Sequence, residues 1–236
     1  MRFIFKTDYG QDVKLAKHGG HVFWYGLLMA VLLAGFTGLF SLGHAAFLGV
    51  GAYTQAVLTG AGVPFPIALI GAAALSAAVG YVVGLPALRV KGIYLGMATL
   101  SFGFIVEEVM ARWESVTDGN AGKHIKPPNM FGWTLNSGTE FYFLCLVLTV
   151  IGTLFILNLL RSPTGRAFVA IRDSEVSAQS MGINLAHYKT LSFAISAAFA
   201  GVAGALYAHK LQFISPDQFS ILQSIDLLLI DRKSVV

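Results

Sequence analysis

Long apolar runs and short polar breaks alternate along this chain. No Asp, Glu, Lys or Arg occurs in the 67 residues from Val22 to Leu88, nor in the 20-residue runs Phe141 to Leu160 and Thr190 to His209. About 20 apolar residues cross a bilayer as a helix. The pattern therefore predicts spans at roughly Val22–Phe40, Pro66–Leu85, Gly92–Val109, Phe141–Leu160 and Thr190–Ala208. A last apolar run, Phe219–Ile230, is interrupted by Asp226. Ser41–Gly60 is apolar but Gly-rich and dotted with Ser41, His44, Thr54 and Gln55, so it either crosses or is re-entrant. The fold class this implies is all-α: a polytopic helical membrane protein with about six to seven membrane segments. It divides into an N-terminal tail (1–21), a transmembrane body (22–230) and an atypical C-terminal tail (231–236).

The sizeable polar insertion of the second half is Ser162–Gly182, SPTGRAFVAIRDSEVSAQSMG. Phe168, Ile171, Ala178 and Met181 recur at steps that put them on one helical face, with Arg166, Arg172, Asp173 and Glu175 as the charged surface. Ser162-Pro163-Thr164-Gly165 is a turn that can start a helix, and Gly182 sits where a left-handed cap would end it. Burying those four charges in lipid would cost about 3 kcal/mol each, so the helix predicted over 165–182 lies outside the bilayer. From the residues alone it is a docking element or a connecting loop.

Composition sharpens the membrane assignment. Charged residues make up 12 % of the chain and hydrophobic ones 56 %, against about 25 % charged in a soluble domain. The net charge of +4 does not suggest nucleic acid, because the basic residues lie in short stretches beside the spans. Arg89 and Lys91 mark the 86–92 connection, and Arg161, Arg166, Arg172 and Lys189 the 161–189 loop; both are expected to be cytoplasmic. The 112–140 loop balances Glu114, Asp118 and Glu140 against Arg112, Lys123 and Lys126, so it faces out. With the basic tail also inside, 22–60 must cross an odd number of times. Cys145, the one cysteine, rules out an internal disulfide framework. The charged first 20 residues are not a signal peptide.

Nothing catalytic is legible. The sequence has no GxxxxGK[ST] phosphate loop, HExxH or GxSxG motif, and no metal site or bound cofactor is expected. Gly49, Gly51, Gly80, Gly84, Gly201 and Gly204 read as close helix packing. Gly43–Gly51 could in addition form a broken helix lining a pathway. His44 reads as a neutral imidazole bonded to backbone. Glu107 and Glu108 read as interfacial carboxylates at a span's outer end.

The runs GHAAFLGVGAY (43–53), LRVKGIYLGMATLSFGFIVEEV (88–109), SPTGRAFVAIRDSEVSAQSMGIN (162–184) and SAAFAGVAGALYA (196–208) closely resemble the LivM-type permeases of bacterial branched-chain amino acid ABC transporters. The resemblance covers nearly the whole chain. It implies a permease subunit of an inner-membrane importer, embedded in lipid. The implied partners are a second permease of the LivH type, two cytoplasmic ATP-binding subunits that use the ATP, and a periplasmic substrate-binding protein. It also implies that the segment Gly165–Gly182 is where the ATPase docks. Arg166, Arg172 and Glu175 are then expected as polar contacts, and Phe168 and Ile171 as occupants of the ATPase groove. Relative to the family pattern, a span is expected to be missing near Leu33–Gly35, and the chain stops soon after Ser224–Leu229. Two other functions fit the residues: a urea or short-amide permease of the same architecture, and an ion-coupled transporter using Asp226.

Overall fold

The computed structural model describes residues 43–87, 93–125, 129–130, 133–134 and 138–219. The first span, both tails, Asp226 and the Leu33–Gly35 junction lie outside the described residues. In chain order the elements are α1 (His44–Gly60), α2 (Phe65–Ala87), α3 (Ile93–Arg112), the short α4 (Glu114–Thr117), a 3-10 turn at Gly119–Ala121, and strands β1 (Lys123–His124), β2 (Asn129–Met130) and β3 (Trp133–Thr134). There follow α5 (Gly138–Arg161), α6 (Pro163–Asp173), α7 (Glu175–Ser180), α8 (Leu185–Leu211), β4 (Phe213–Ile214) and a 3-10 turn at Pro216–Phe219.

Among the described residues, four helices are long and apolar enough to cross a membrane: Phe65–Leu85, Tyr94–Arg112, Glu140–Arg161 and Leu185–Leu211. They match the four spans expected in this part of the chain. Their outer faces carry large apolar side chains, among them Ile70, Val82, Tyr94, Ile105, Phe143 and Leu154, all more than half exposed. Such faces suit lipid, where every backbone polar group must be satisfied within the helix. Hydroxyls follow the same rule: Ser101 donates to the Met97 carbonyl, Thr149 to Cys145 and Thr153 to Thr149. Pro66 sits in the first turn of α2, where its missing N–H removes no helical bond.

The axis of the fold is α8. Within the protein, 67 % of its span is buried, against 17 % for that of α5. α1 and α2 both pack along α8, and small residues make the seam: Ala197, Ala200, Gly201, Gly204, Ala205 and Ala208 are all buried. Phe47 of α1 meets Phe193 of α8 edge-on, with ring centroids 5.7 Å apart. Ser41–Gly60 thus contains an unbroken 17-residue helix, too short to count among the four spans. It ends in a Schellman turn, with Gly62 at φ +86° and the Val63 N–H donating to the Leu58 carbonyl.

The two ends of the bundle are distinct. Gly84, near the end of α2, lies beside Thr190, near the start of α8. At the opposite end Phe65 of α2 meets the His209 ring at 5.1 Å, and β1 pairs antiparallel with β4, Lys123 opposite Ile214. The 112–140 segment, expected to be a plain loop, is therefore stitched to the end of α8, and β2 pairs with β3 as a second short ribbon. Phe219 is buried against Tyr53 and Tyr207 at this same end.

Candidate functional site

The polar insertion folds as two helices, not as the single helix expected over 165–182. The break is at Ser174, whose extended backbone (φ −161°) ends α6 and whose side chain accepts a hydrogen bond from the Ser177 N–H to cap α7. Serine competes with helix geometry by bonding nearby backbone, and that is why the chain turns here. Ser162 caps α6 in the same way, accepting from the Gly165 N–H at 3.3 Å, with Pro163 in the first turn. At the far end Gly182 is left-handed, at φ +83°. Its N–H donates to the Gln179 carbonyl and the Ile183 N–H to Ala178, a complete Schellman turn. Asn184 then caps α8 through the His187 N–H.

The apolar stripe of this element is only partly as the periodicity suggests. Phe168, Ile171 and Ala178 are buried, but Met181 is 72 % exposed: it follows the last residue of α7 as its C-cap instead of continuing the helical face. Phe168 sits edge-on to Tyr188 of α8, at 6.2 Å. Phe168 and Ile171 are covered by their own chain in this arrangement. Glu175 also points inward: its Oε1 accepts from Lys189 Nζ at 2.5 Å. What the element presents outward is Val176 (75 % exposed), Met181, Arg166, Arg172 and Asp173. Arg172 pairs with Asp173 at 3.3 Å, and Arg166 donates to the Arg161 carbonyl. Gly165 presses on the backbone of Leu159 and Leu160, leaving no room for a side chain and fixing α6 to the end of α5.

The other candidate residues lie on α1 and α8, with Gly51, Gly201 and Gly204 at the seam between them. A methyl group on Gly51 would overlap the Gly201 backbone, one on Gly204 the Leu48 carbonyl, and one on Gly201 the Ser76 side chain. Gly49 faces Met110 and Phe219, and Gly43 approaches the Thr99 carbonyl. His44, half-buried, is the first residue of α1. A neighbouring polar pair was not anticipated. Gln55, fully buried, places its amide Nε2 3.0 Å from Nε2 of His209, itself 3 % exposed. The Gln55 amide and the His209 ring are thus within hydrogen-bond distance of one another. The ionisable side chain inside an apolar bundle was the available signal, but the residue facing it lies 154 positions away. Among the described residues no group of three His, Cys, Asp or Glu is placed to hold a metal.

Comparison with known proteins bears on this architecture. The family model described as "Branched-chain amino acid transport system / permease component" matches residues 25–230. The chain is 36 % identical, over 224 aligned residues, to the high-affinity branched-chain amino acid transport system permease protein LivM of Salmonella typhimurium, covering 84 % of this chain and 53 % of the relative. The LivM permease protein of Escherichia coli gives the same figures. A probable LivM permease protein of Methanocaldococcus jannaschii is 28 % identical over 146 residues, covering 59 % of this chain and 42 % of that one. The chain thus spans about half the length of the curated relatives it matches. No solved structure matches it. With the family match running from before the described residues to beyond them, over the four membrane-length helices and the capped two-helix insertion, this chain belongs to the branched-chain amino acid transport permease family.

Proposed function

We propose that this chain is a transmembrane permease subunit of an ATP-driven importer in the bacterial inner membrane, carrying leucine, isoleucine or valine. The names of the relatives it matches support the substrate class. In this reading the chain binds no ATP itself. Two cytoplasmic ATP-binding subunits supply the work, a second permease of the LivH type completes the pathway, and a periplasmic protein delivers the amino acid.

The observation that carries the reading is the α6–α7 element. It is capped at both ends, clamped to α5 at Gly165, joined to α8 at Glu175–Lys189, and still presents Val176, Met181 and Arg172 outward. A mere connector between two spans needs no such bracing, whereas a motor must push on something rigid. Docking is thus assigned to the exposed face, with Val176 and Met181 as the apolar contacts in place of Phe168 and Ile171. Closure of the ATP-binding subunits would shift the element, and α5 and α8 with it, alternating access to the two sides. Apolar seams of closely packed helices suit such motion because they carry two discrete arrangements more readily than a continuum of them. The test is co-purification of the ATP-binding subunits with wild type, Arg172→Ala and Val176→Asp, together with leucine uptake in proteoliposomes. Substitutions that leave both assembly and uptake unchanged overturn the docking assignment, and uptake that survives ATP depletion overturns the importer reading.

A further inference from the structure

Lys189 lies in the second turn of α8 and is 8 % exposed. A cation near a helix N-terminus is disfavoured by the helix dipole, and a buried ammonium is tolerated only when it is paired. Its counter-charge is Glu175, 14 residues back, the first residue of α7, where the same dipole favours a carboxylate. The 2.5 Å contact therefore ties together the starts of two helices. On the other side the residues that follow Lys189 pack against α2 and α1. Its neighbour Thr190 is fully buried against Gly84 of α2, and Phe193, one turn on, is wedged against Phe47 of α1.

Phe168 also meets Tyr188 of α8 edge-on, a ring contact whose members can slide over one another. The ion pair is short and directional, so it transmits displacement where the ring contact absorbs it. We propose that the Glu175–Lys189 pair is the strut through which movement of the α6–α7 element reaches α8, and through α8 the α1 and α2 seams. Lys189 is accordingly a positioning residue for transport. The inference rests on the docking reading above and adds the route by which work enters the membrane.

The test uses the full chain assembled with the second permease and both ATP-binding subunits in proteoliposomes, with radiolabelled leucine as the probe. Lys189→Met is expected to retain the ATP-binding subunits and to hydrolyse ATP within about twofold of wild type, while leucine imported per ATP falls about tenfold. The charge-reversed pair E175K/K189E is expected to recover most of that loss relative to either single change. An unchanged leucine-per-ATP ratio in Lys189→Met overturns the strut. If Lys189→Met does not insert, E175K against E175K/K189E decides, and absence of recovery in the double variant overturns it equally. Failure of the docking reading is seen separately, as Arg172→Ala and Val176→Asp complexes that hold their ATP-binding subunits as wild type does.

Discussion

Gly51 and Gly201 face one another across the α1–α8 seam so closely that a methyl group on Gly51 would fall well inside the 3.0 Å that real side-chain carbons keep from the Gly201 backbone. Where two helix backbones touch, van der Waals contact replaces the hydrophobic effect as the source of association, because lipid is as apolar as leucine. Gly204 against Leu48 and Gly80 against Ala197 continue the seam on either side of α8.

Replacing Gly51 or Gly204 by leucine is expected to destabilise the detergent-solubilised protein by about 1–3 kcal/mol or more through overpacking. Gly103 has nothing within 4 Å of where its Cβ would be, so Gly103→Ala should stay within about 0.5 kcal/mol. Thermal unfolding followed by tryptophan fluorescence separates the two. Equal shifts would mean that the seam does not hold the bundle together.

The two faces of the α6–α7 element should respond in opposite ways. Phe168→Ala removes a buried ring and should cost about 3–5 kcal/mol of stability. Val176→Asp and Met181→Asp alter exposed positions and should leave the unfolding midpoint within about 0.5 kcal/mol, while weakening retention of the ATP-binding subunits. A Phe168→Ala protein of wild-type stability with weakened retention would return Phe168 to the docking surface.

Gly182 has open space around it but a left-handed backbone, at φ +83°. Gly182→Ala should therefore cost about 1–2 kcal/mol from backbone strain alone, and Gly182→Asn less, since asparagine tolerates this conformation. Ser174→Ala, which removes the α7 cap, should cost about 1 kcal/mol. Comparing the unfolding midpoints of the three variants checks both. A midpoint for Gly182→Asn below that of Gly182→Ala would contradict the assigned geometry.

Gln55→Leu takes from the buried His209 ring the amide that meets its Nε2, and should cost about 1–3 kcal/mol. The readout is again the unfolding midpoint. A neutral outcome would mean that the pair adds nothing to holding α1 on α8.

Span positions were legible in the chain because charge-free length is a direct consequence of bilayer thickness: Phe141–Leu160 became α5 and Thr190–Ala208 the body of α8, each extended a few residues at either end. Caps were legible for a similar local reason. Ser162, Pro163 and Gly182 act within one or two turns of where they stand, so their chemistry needs no knowledge of the rest of the fold. The break at Ser174 was missed because its residue type fits both an exposed helical position and a cap. Periodicity also counted Met181 as a helical position on the buried face, whereas it follows the end of α7 and is exposed.

By itself the sequence determined the class of the protein, the four described helices of membrane-crossing length, the placement of an amphipathic insertion between the last two, and a resemblance to permeases that the family match bears out. Only the tertiary structure decided which helix is central, which side of the insertion is covered by its own chain, and that Lys189 and Glu175, and Gln55 and His209, belong together. Bilayer thickness and helix-end chemistry act over a few neighbouring residues and leave their mark in composition. Pairing across helices depends on how those helices approach, and in a bundle joined by glycines and alanines that approach is set by shapes that no single stretch of the chain contains.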